Sequence, residues 1–271
     1  MENISVRRLA NLLLVLALLL GGFAACQKKT ETAASATPSP AATQTASPTP
    51  NLATPAPPIT GAITPALVKE GADSITEYLH FPNDPEATKL DGAVQFFCDI
   101  NEEGIVVATH ALIGTTDAYK DAVQTALDWG RFTPATVDQK PVPVYLGGTI
   151  LFLHEKGERR IVVSLATQNR DRVRKMTNYI EPQLVGGLRH AVQSGSDTFI
   201  SDLLDGRAEV VVNVDQRGVV TGTSGTTETP KGSGLGIFLE GAMKRAQFTP
   251  AYENAKPVAG AINVVADFRQ L

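Results

Sequence analysis

The chain repeats itself, and this constrains its fold more than any other feature. Leu90-Asp91-Gly92 recurs as Leu204-Asp205-Gly206, and Gly104-Ile105-Val106 recurs as Gly218-Val219-Val220, both at an offset of 114. Phe132-Thr133-Pro134-Ala135 recurs as Phe248-Thr249-Pro250-Ala251, and Lys140-Pro141-Val142 as Lys256-Pro257-Val258, at an offset of 116. The difference requires a two-residue insertion between the blocks, expected in the Gly/Thr-rich stretch 222–234.

Each copy carries the same succession of patterns. An alternating strand (94–100 or 209–214) meets a polar turn that ends in Gly104 or Gly218, where glycine can take positive φ. A second strand follows, at 105–113 or 219–223. Tyr119, Ala122, Val123, Ala126 and Leu127 then fall on one helical face, as do Leu235, Phe238, Leu239, Ala242 and Met243. Thr116 and Asp117 are candidate N-caps of the first helix. The Phe-Thr-Pro-Ala turn leads into a last strand, 142–153 or 258–268. Glycines 92 and 206 precede a strand where the backbone is expected to turn tightly. The fold class expected is therefore α+β: two tandem β-β-α-β repeats, each a small antiparallel sheet with one helix packed on it. The lead-ins at 65–68 and 182–185 predict a short helix or turn. After the first repeat, 155–158 predicts a turn and 161–165 a further strand that folds back over the last strand. A short basic helix is expected at 169–176, with a solvated face.

The N-terminus reads as an export signal. Arg7 and Arg8 precede an apolar, leucine-rich run at 9–20, and Ala24-Ala25-Cys26 follows. Small residues before a cysteine resemble a bacterial lipobox, with Phe23 where an aliphatic residue is usual. That resemblance implies a signal peptide at 1–25 and lipidation of Cys26; the alternative is an uncleaved membrane anchor. From 26 to 63 the chain is rich in Pro, Ala and Thr and poor in large apolar groups, the composition of a disordered linker. At about 3.1 Å per residue its upper reach is roughly 100 Å.

Composition narrows the chemistry. The net charge of −4 comes without a basic stripe, which argues against a nucleic-acid partner. With Cys26 lipidated, Cys98 has no disulfide partner and is expected to be a small buried apolar residue. His80, His110, His154 and His190 lack metal-ligand spacing and are expected on the surface or in loops. Gly232-Ser233-Gly234-Leu235-Gly236 lacks the Lys-Ser/Thr of a phosphate loop, and 226–231 does not read as a strand. No catalytic residue, metal or cofactor is expected, and the chain reads as a non-enzyme.

The motifs of the first repeat resemble the C-terminal domain of TonB proteins. They are Leu90-Asp91-Gly92-Ala93-Val94-Gln95-Phe96, Glu103-Gly104-Ile105-Val106, Ala126-Leu127-Asp128-Trp129-Gly130-Arg131-Phe132-Thr133-Pro134-Ala135 and Lys140-Pro141-Val142. Trp129 and Phe132 are expected to close the helix against the sheet. The likeness covers 81–154 and, more weakly, 204–268, where Arg245 replaces Trp129. It implies TonB C-terminal-like repeats at 64–166 and 167–271, after the linker. It also implies a periplasmic, lipid-anchored protein that adds an extended segment of an outer-membrane transporter or other envelope protein to a sheet edge. The run 9–20 is apolar apart from Asn11 and reads as an export signal rather than a motor-engaging helix, so energy transduction is not implied. Gln27 after the cysteine favours the outer membrane by analogy.

The second repeat ends the sequence given, so its last strand is the expected docking edge: Ala261, Ile262, Asn263, Val264, Val265, Ala266, Asp267 and Phe268. The competing expectation is a structural envelope lipoprotein, in which the repeats join edges or a second copy covers the strand.

Overall fold

A computed structural model describes residues 56–83, 90–167, 178–194 and 205–271. The expected signal, Cys26, most of the expected linker, the basic run at 169–176 and Leu204 lie outside the described residues. The first half contains β1 (Ile63–Thr64), β2 (Leu67–Val68), α1 (Ile75–Tyr78), β3 (Gly92–Ile100), β4 (Val106–Gly114), α2 (Asp117–Trp129), β5 (Phe132–Thr133), β6 (Ala135–Val137), β7 (Lys140–Val142), β8 (Val144–Glu155) and β9 (Glu158–Ser164). The second contains β10 (Tyr179–Ile180), β11 (Leu184–Val185), α3 (Gly187–Ser194), β12 (Arg207–Val214), β13 (Val220–Thr229), α4 (Leu235–Arg245), β14 (Ala251–Glu253), β15 (Lys256–Val258) and β16 (Gly260–Asp267). The fold is α+β, with helices on small antiparallel sheets.

Alternation along β3 buries Val94, Phe96, Cys98 and Ile100 on the face that meets α2. At the β3–β4 turn, Asn101 Oδ1 accepts from the amides of Glu103 (3.1 Å) and Ile105 (2.9 Å), a side-chain-closed turn. Gly104 there has φ +78°, and a Cβ on it would strike the Phe132 carbonyl. Thr116 caps α2 by accepting from the Tyr119 amide at 3.4 Å, and the helix buries Tyr119, Val123, Ala126 and Leu127. β8 then returns beside β3, from Gly92↔Phe152 to Ile100↔Val144. The Lys156-Gly157 turn, with φ +53° and +86°, brings β9 back along β8 as a two-residue hairpin.

The second half runs through the same local solutions. Asp215 Oδ1 accepts from Arg217 N (2.8 Å) and Val219 N (2.9 Å), and a Cβ on Gly218 would strike the Phe248 carbonyl. β16 returns beside β12, from Arg207↔Asp267 to Val214↔Gly260. The β14–β15 hairpin turns at Asn254 and Ala255 with positive φ, as β6–β7 does at Asp138 and Gln139. Asp215 is held below its ordinary pKa: burial pushes it up, but the Val219 and Arg217 amides and the Arg217 guanidinium outweigh that.

Phe132 and Phe248 are both buried, each beneath its half's glycine turn. Trp129, expected to close α2 against the sheet, is instead 70% exposed. The helix ends at this residue, and Gly130 turns the chain tightly against Ile75, which leaves Phe132 as the closing aromatic. Gly92 is not a tight turn; it leaves room for the Tyr119 ring, whose hydroxyl donates to the Leu90 carbonyl at 2.9 Å. Residues 226–229, not expected as strand, extend β13. They lie on an exposed sheet edge, where β-branched threonines suit a strand without apolar alternation. The lead-ins are extended rather than helical, with Val68 opposite Phe132 and Leu184 bridged to Phe248.

Among the described residues two large apolar cores result, with a small third cluster of Ala166, Tyr179 and Ala251. One fills the space between α2 and the first sheet. The other unites Phe97, Ala111 and Tyr145 of the first half with Leu188, Val210, Leu239, Val264 and Phe268 of the second. The second half thus packs on the face of the first sheet that α2 leaves bare.

Candidate functional site

β16 is an outer strand by pairing, in the order β13-β12-β16. Its middle is nevertheless buried: Ile262, Val264, Val265 and Ala266 are inaccessible and Asn263 nearly so. Ala261 and Asp267 are half-buried, and Phe268, itself buried, leaves the strand to begin a 3-10 turn whose Arg269 and Gln270 are exposed. The amide of Val265 donates to Tyr145 Oη at 2.7 Å, and the same hydroxyl donates to the Val265 carbonyl at 3.2 Å. A tyrosine hydroxyl both donates and accepts, so one side chain satisfies both outward-facing backbone groups. Burial pushes the Tyr145 hydroxyl well above its ordinary pKa and keeps its proton in place. Tyr145 stands on β8, more than a hundred residues upstream of the strand it closes. This edge is therefore not open at Val265.

Other polar side chains hold the halves together. Asp99 Oδ2 lies 3.0 Å from His110 Nε2, and Asp99 Oδ1 accepts from the Leu188 amide of α3 at 2.8 Å. His110 is buried, contrary to the surface place expected for it, because its strand face meets the second half. Gln183 accepts from the Ala66 amide at 2.7 Å and donates to the Ala66 carbonyl at 2.9 Å. Tyr252 Oη donates to the Ile63 carbonyl at 3.0 Å. The stretch 63–66 is thereby strapped to the second half.

Beside that strap lies a groove of about 990 Å³. Ile63, Leu67 and Val68 form one wall, the end of β9 from Val162 to Leu165 another, and Ile180 and Tyr252 close it. Among the described residues none of its lining side chains is charged. The β9 wall is fixed from behind. Glu181 accepts from the Thr167 amide (2.7 Å) and hydroxyl (2.8 Å), and its own amide donates to the Leu165 carbonyl at 2.9 Å. Among the described residues no strand pairs with the outer edge of β9. In a two-residue hairpin, hydrogen-bonded pairs begin at Glu155↔Glu158 and alternate from there. Arg159, Ile161 and Val163 therefore turn their amides and carbonyls away from β8.

The chemically suggestive residues have structural partners. Burial holds the Cys98 thiol well above its ordinary pKa, so it is a poor nucleophile. The glycine-rich run before α4 surrounds an anion, and that anion is the chain's own Glu228. Its carboxylate accepts from the amides of Gly232 and Gly236, both at 2.8 Å. The Gly236 amide foremost holds Glu228 below its ordinary pKa. No group of three or more metal-ligating side chains occurs among the described residues.

Tyr145, Gln183 and the β9 edge were not singled out by the sequence patterns. Only Gln183 left a signal: a polar side chain inside the otherwise apolar lead-in 182–185. No family model matches the chain, and no curated protein or solved structure matches it either.

Proposed function

We propose that this chain is a lipid-anchored, non-catalytic docking module of the bacterial cell envelope. In this reading Cys26 carries the lipid and 26–63 is the tether. Residues 64–166 and 167–271 are tandem TonB-like β-β-α-β repeats, which bind an extended segment of another envelope protein by strand addition. The paired Asn101 and Asp215 turns and the buried Phe132 and Phe248 support the repeat. The observation that carries the docking function is the outer edge of β9 beside an uncharged groove. That edge is also the most regular one free. β4 and β13 each contain two register shifts against their partners, whereas β8 and β9 pair without interruption. Bulges discourage edge-to-edge pairing, and an unbroken edge invites it. The docking edge of the module is therefore β9, and the stretch Ala261–Phe268 serves mainly to join the halves.

A photo-cross-linking amino acid at Val163, compared with one at Thr226 on β13, tests this in cells that make the full chain. A discrete adduct with an envelope protein is expected from Val163 alone. Equal adducts from both positions, or none from Val163, would reject docking at β9. The second reading is a structural lipoprotein whose repeats serve one another, and the Tyr145–Val265 contact favours it. It expects no adduct from either position.

A further inference from the structure

Resting on that docking reading, we infer that the β9 groove selects an extended peptide segment that is uncharged and apolar where it crosses the groove and acidic where it passes Arg159. Three features lead there. First, among the described residues every side chain lining the groove is neutral, and the apolar ones dominate: Ile63, Leu67, Val68, Val162, Val163 and Leu165. A charged side chain placed among them would lose its water and gain no counter-charge, which is strongly unfavourable. Second, the outward backbone groups of Arg159, Ile161 and Val163 span four residue steps, roughly 13 Å at strand rise. That length pairs with a segment of about five to seven residues, and the groove volume lies within the range of sites that hold several side chains.

Third, the charge changes along the edge. Towards the hairpin end, β9 leaves the neutral groove and carries Arg159, which is exposed. Its guanidinium lies 5.3 Å from the centroid of the Phe81 ring, so the ring holds it in place. Residues directly opposite on neighbouring strands project from the same face. The residue of an added strand that faces Arg159 therefore sits beside a positioned cation, and aspartate or glutamate fits there. Glu158 occupies the next position, on the other face of the strand, and does not compete for this contact.

The experiment presents the full chain in detergent to a displayed library of random seven-residue peptides and measures the enriched peptides by fluorescence anisotropy. Enrichment of apolar residues with Asp or Glu at one end is expected. Exchanging that acid for Lys should weaken binding about two- to five-fold, the worth of an exposed cross-strand charge pair. Arg159→Gln should abolish the difference, as should about 0.5 M salt, where the Debye length falls to a few ångströms. Amide exchange should slow along β9 when the peptide is bound. Enriched apolar peptides with no acidic end, or an acid preference that survives Arg159→Gln, would overturn the charge inference while the docking reading stands. Peptides with a central charge that bind equally well would overturn the groove assignment. No enrichment, or exchange protection on β13 instead of β9, would overturn docking itself.

Discussion

Tyr145→Phe removes one oxygen atom and leaves the ring, so its effect isolates the hydroxyl that closes the β16 edge. The ring remains in the core shared by the two halves, and no cavity of consequence opens. What changes is the fate of two backbone groups: the Val265 amide and carbonyl both lose their partner. Val265 is inaccessible, so bulk water does not replace the hydroxyl. An orphaned buried polar group costs about 1–3 kcal/mol, so the pair should cost about 2–4 kcal/mol, allowing for some relaxation of the strand. For a body of this size that corresponds to a fall in Tm of roughly 4–16 °C. Urea unfolding of a soluble form lacking the first 55 residues should show the loss as a lower midpoint with unchanged slope. The Val265 amide should also exchange faster. The same hydroxyl has an alkaline signature. Its raised pKa means that its stability contribution is fully present below the unfolded tyrosine value of about 10 and is lost as pH rises through the folded value. The parent should therefore lose stability above about pH 10 more steeply than Tyr145→Phe. A stability change below about 0.5 kcal/mol, with Val265 exchange unaltered, would refute the view that this hydroxyl seals the edge.

Cys26→Ser is expected to abolish incorporation of a fatty-acid analogue during metabolic labelling; equal labelling of mutant and parent would end the lipoprotein assignment. Phe132→Ala and Phe248→Ala should each destabilise by about 3–5 kcal/mol in urea titrations, since both rings are buried beneath equivalent turns. A mild effect in one alone would break the proposed equivalence of the halves. Glu228→Gln should lower the Tm at neutral pH, because a neutral amide serves the Gly232 and Gly236 amides less well. Glu228 is held below its unfolded value, so its contribution is present above about pH 4.3 and is lost as pH falls through the folded value. The gap between parent and Glu228→Gln should therefore close on acidification, and a constant gap down to pH 2 would count against this capping role.

The features legible in the sequence are those set within one half by period and by turn chemistry. The buried face of α2, the glycines after Asn101 and Asp215, and the returning β9 hairpin all follow from local spacing. Contacts between the halves left almost no trace. Asp99 and Tyr145 lie on strand faces opposite to the apolar alternation that fills the first core, so each reads as facing solvent. Only when the second half docks on that face do they become buried partners of Leu188 and Val265. Gln183 and Ala66 meet across 117 residues, and no periodicity encodes that distance. Trp129 failed for a related reason. Helical spacing places it after a buried turn, but whether the last residue of a helix faces inward depends on where the next segment leaves, and Gly130 sets that.

Edges connect the fold to its proposed work. A sheet edge presents unpaired amides and carbonyls, and the described edges of the two larger sheets meet that liability differently. β16 is sealed by a tyrosine hydroxyl. β4 and β13 are irregular, and β13 is also studded with threonines whose hydroxyls, at Thr223 and Thr226, donate to Glu240 on α4. The outer side of β8 is covered at one end by β11 and at the other by β9. This last solution moves the problem outward without removing it, because β9 becomes the new edge. Its hairpin end carries Glu158, Arg159 and Arg160, the kind of charge that deters indiscriminate pairing. Its other end is apolar, regular, and pinned from behind by Glu181. On the proposed docking reading, a strand guarded at one end and prepared at the other would discriminate among partners instead of excluding them all. That arrangement distinguishes β9 from β4, β13 and β16, and it is why the docking function is proposed there.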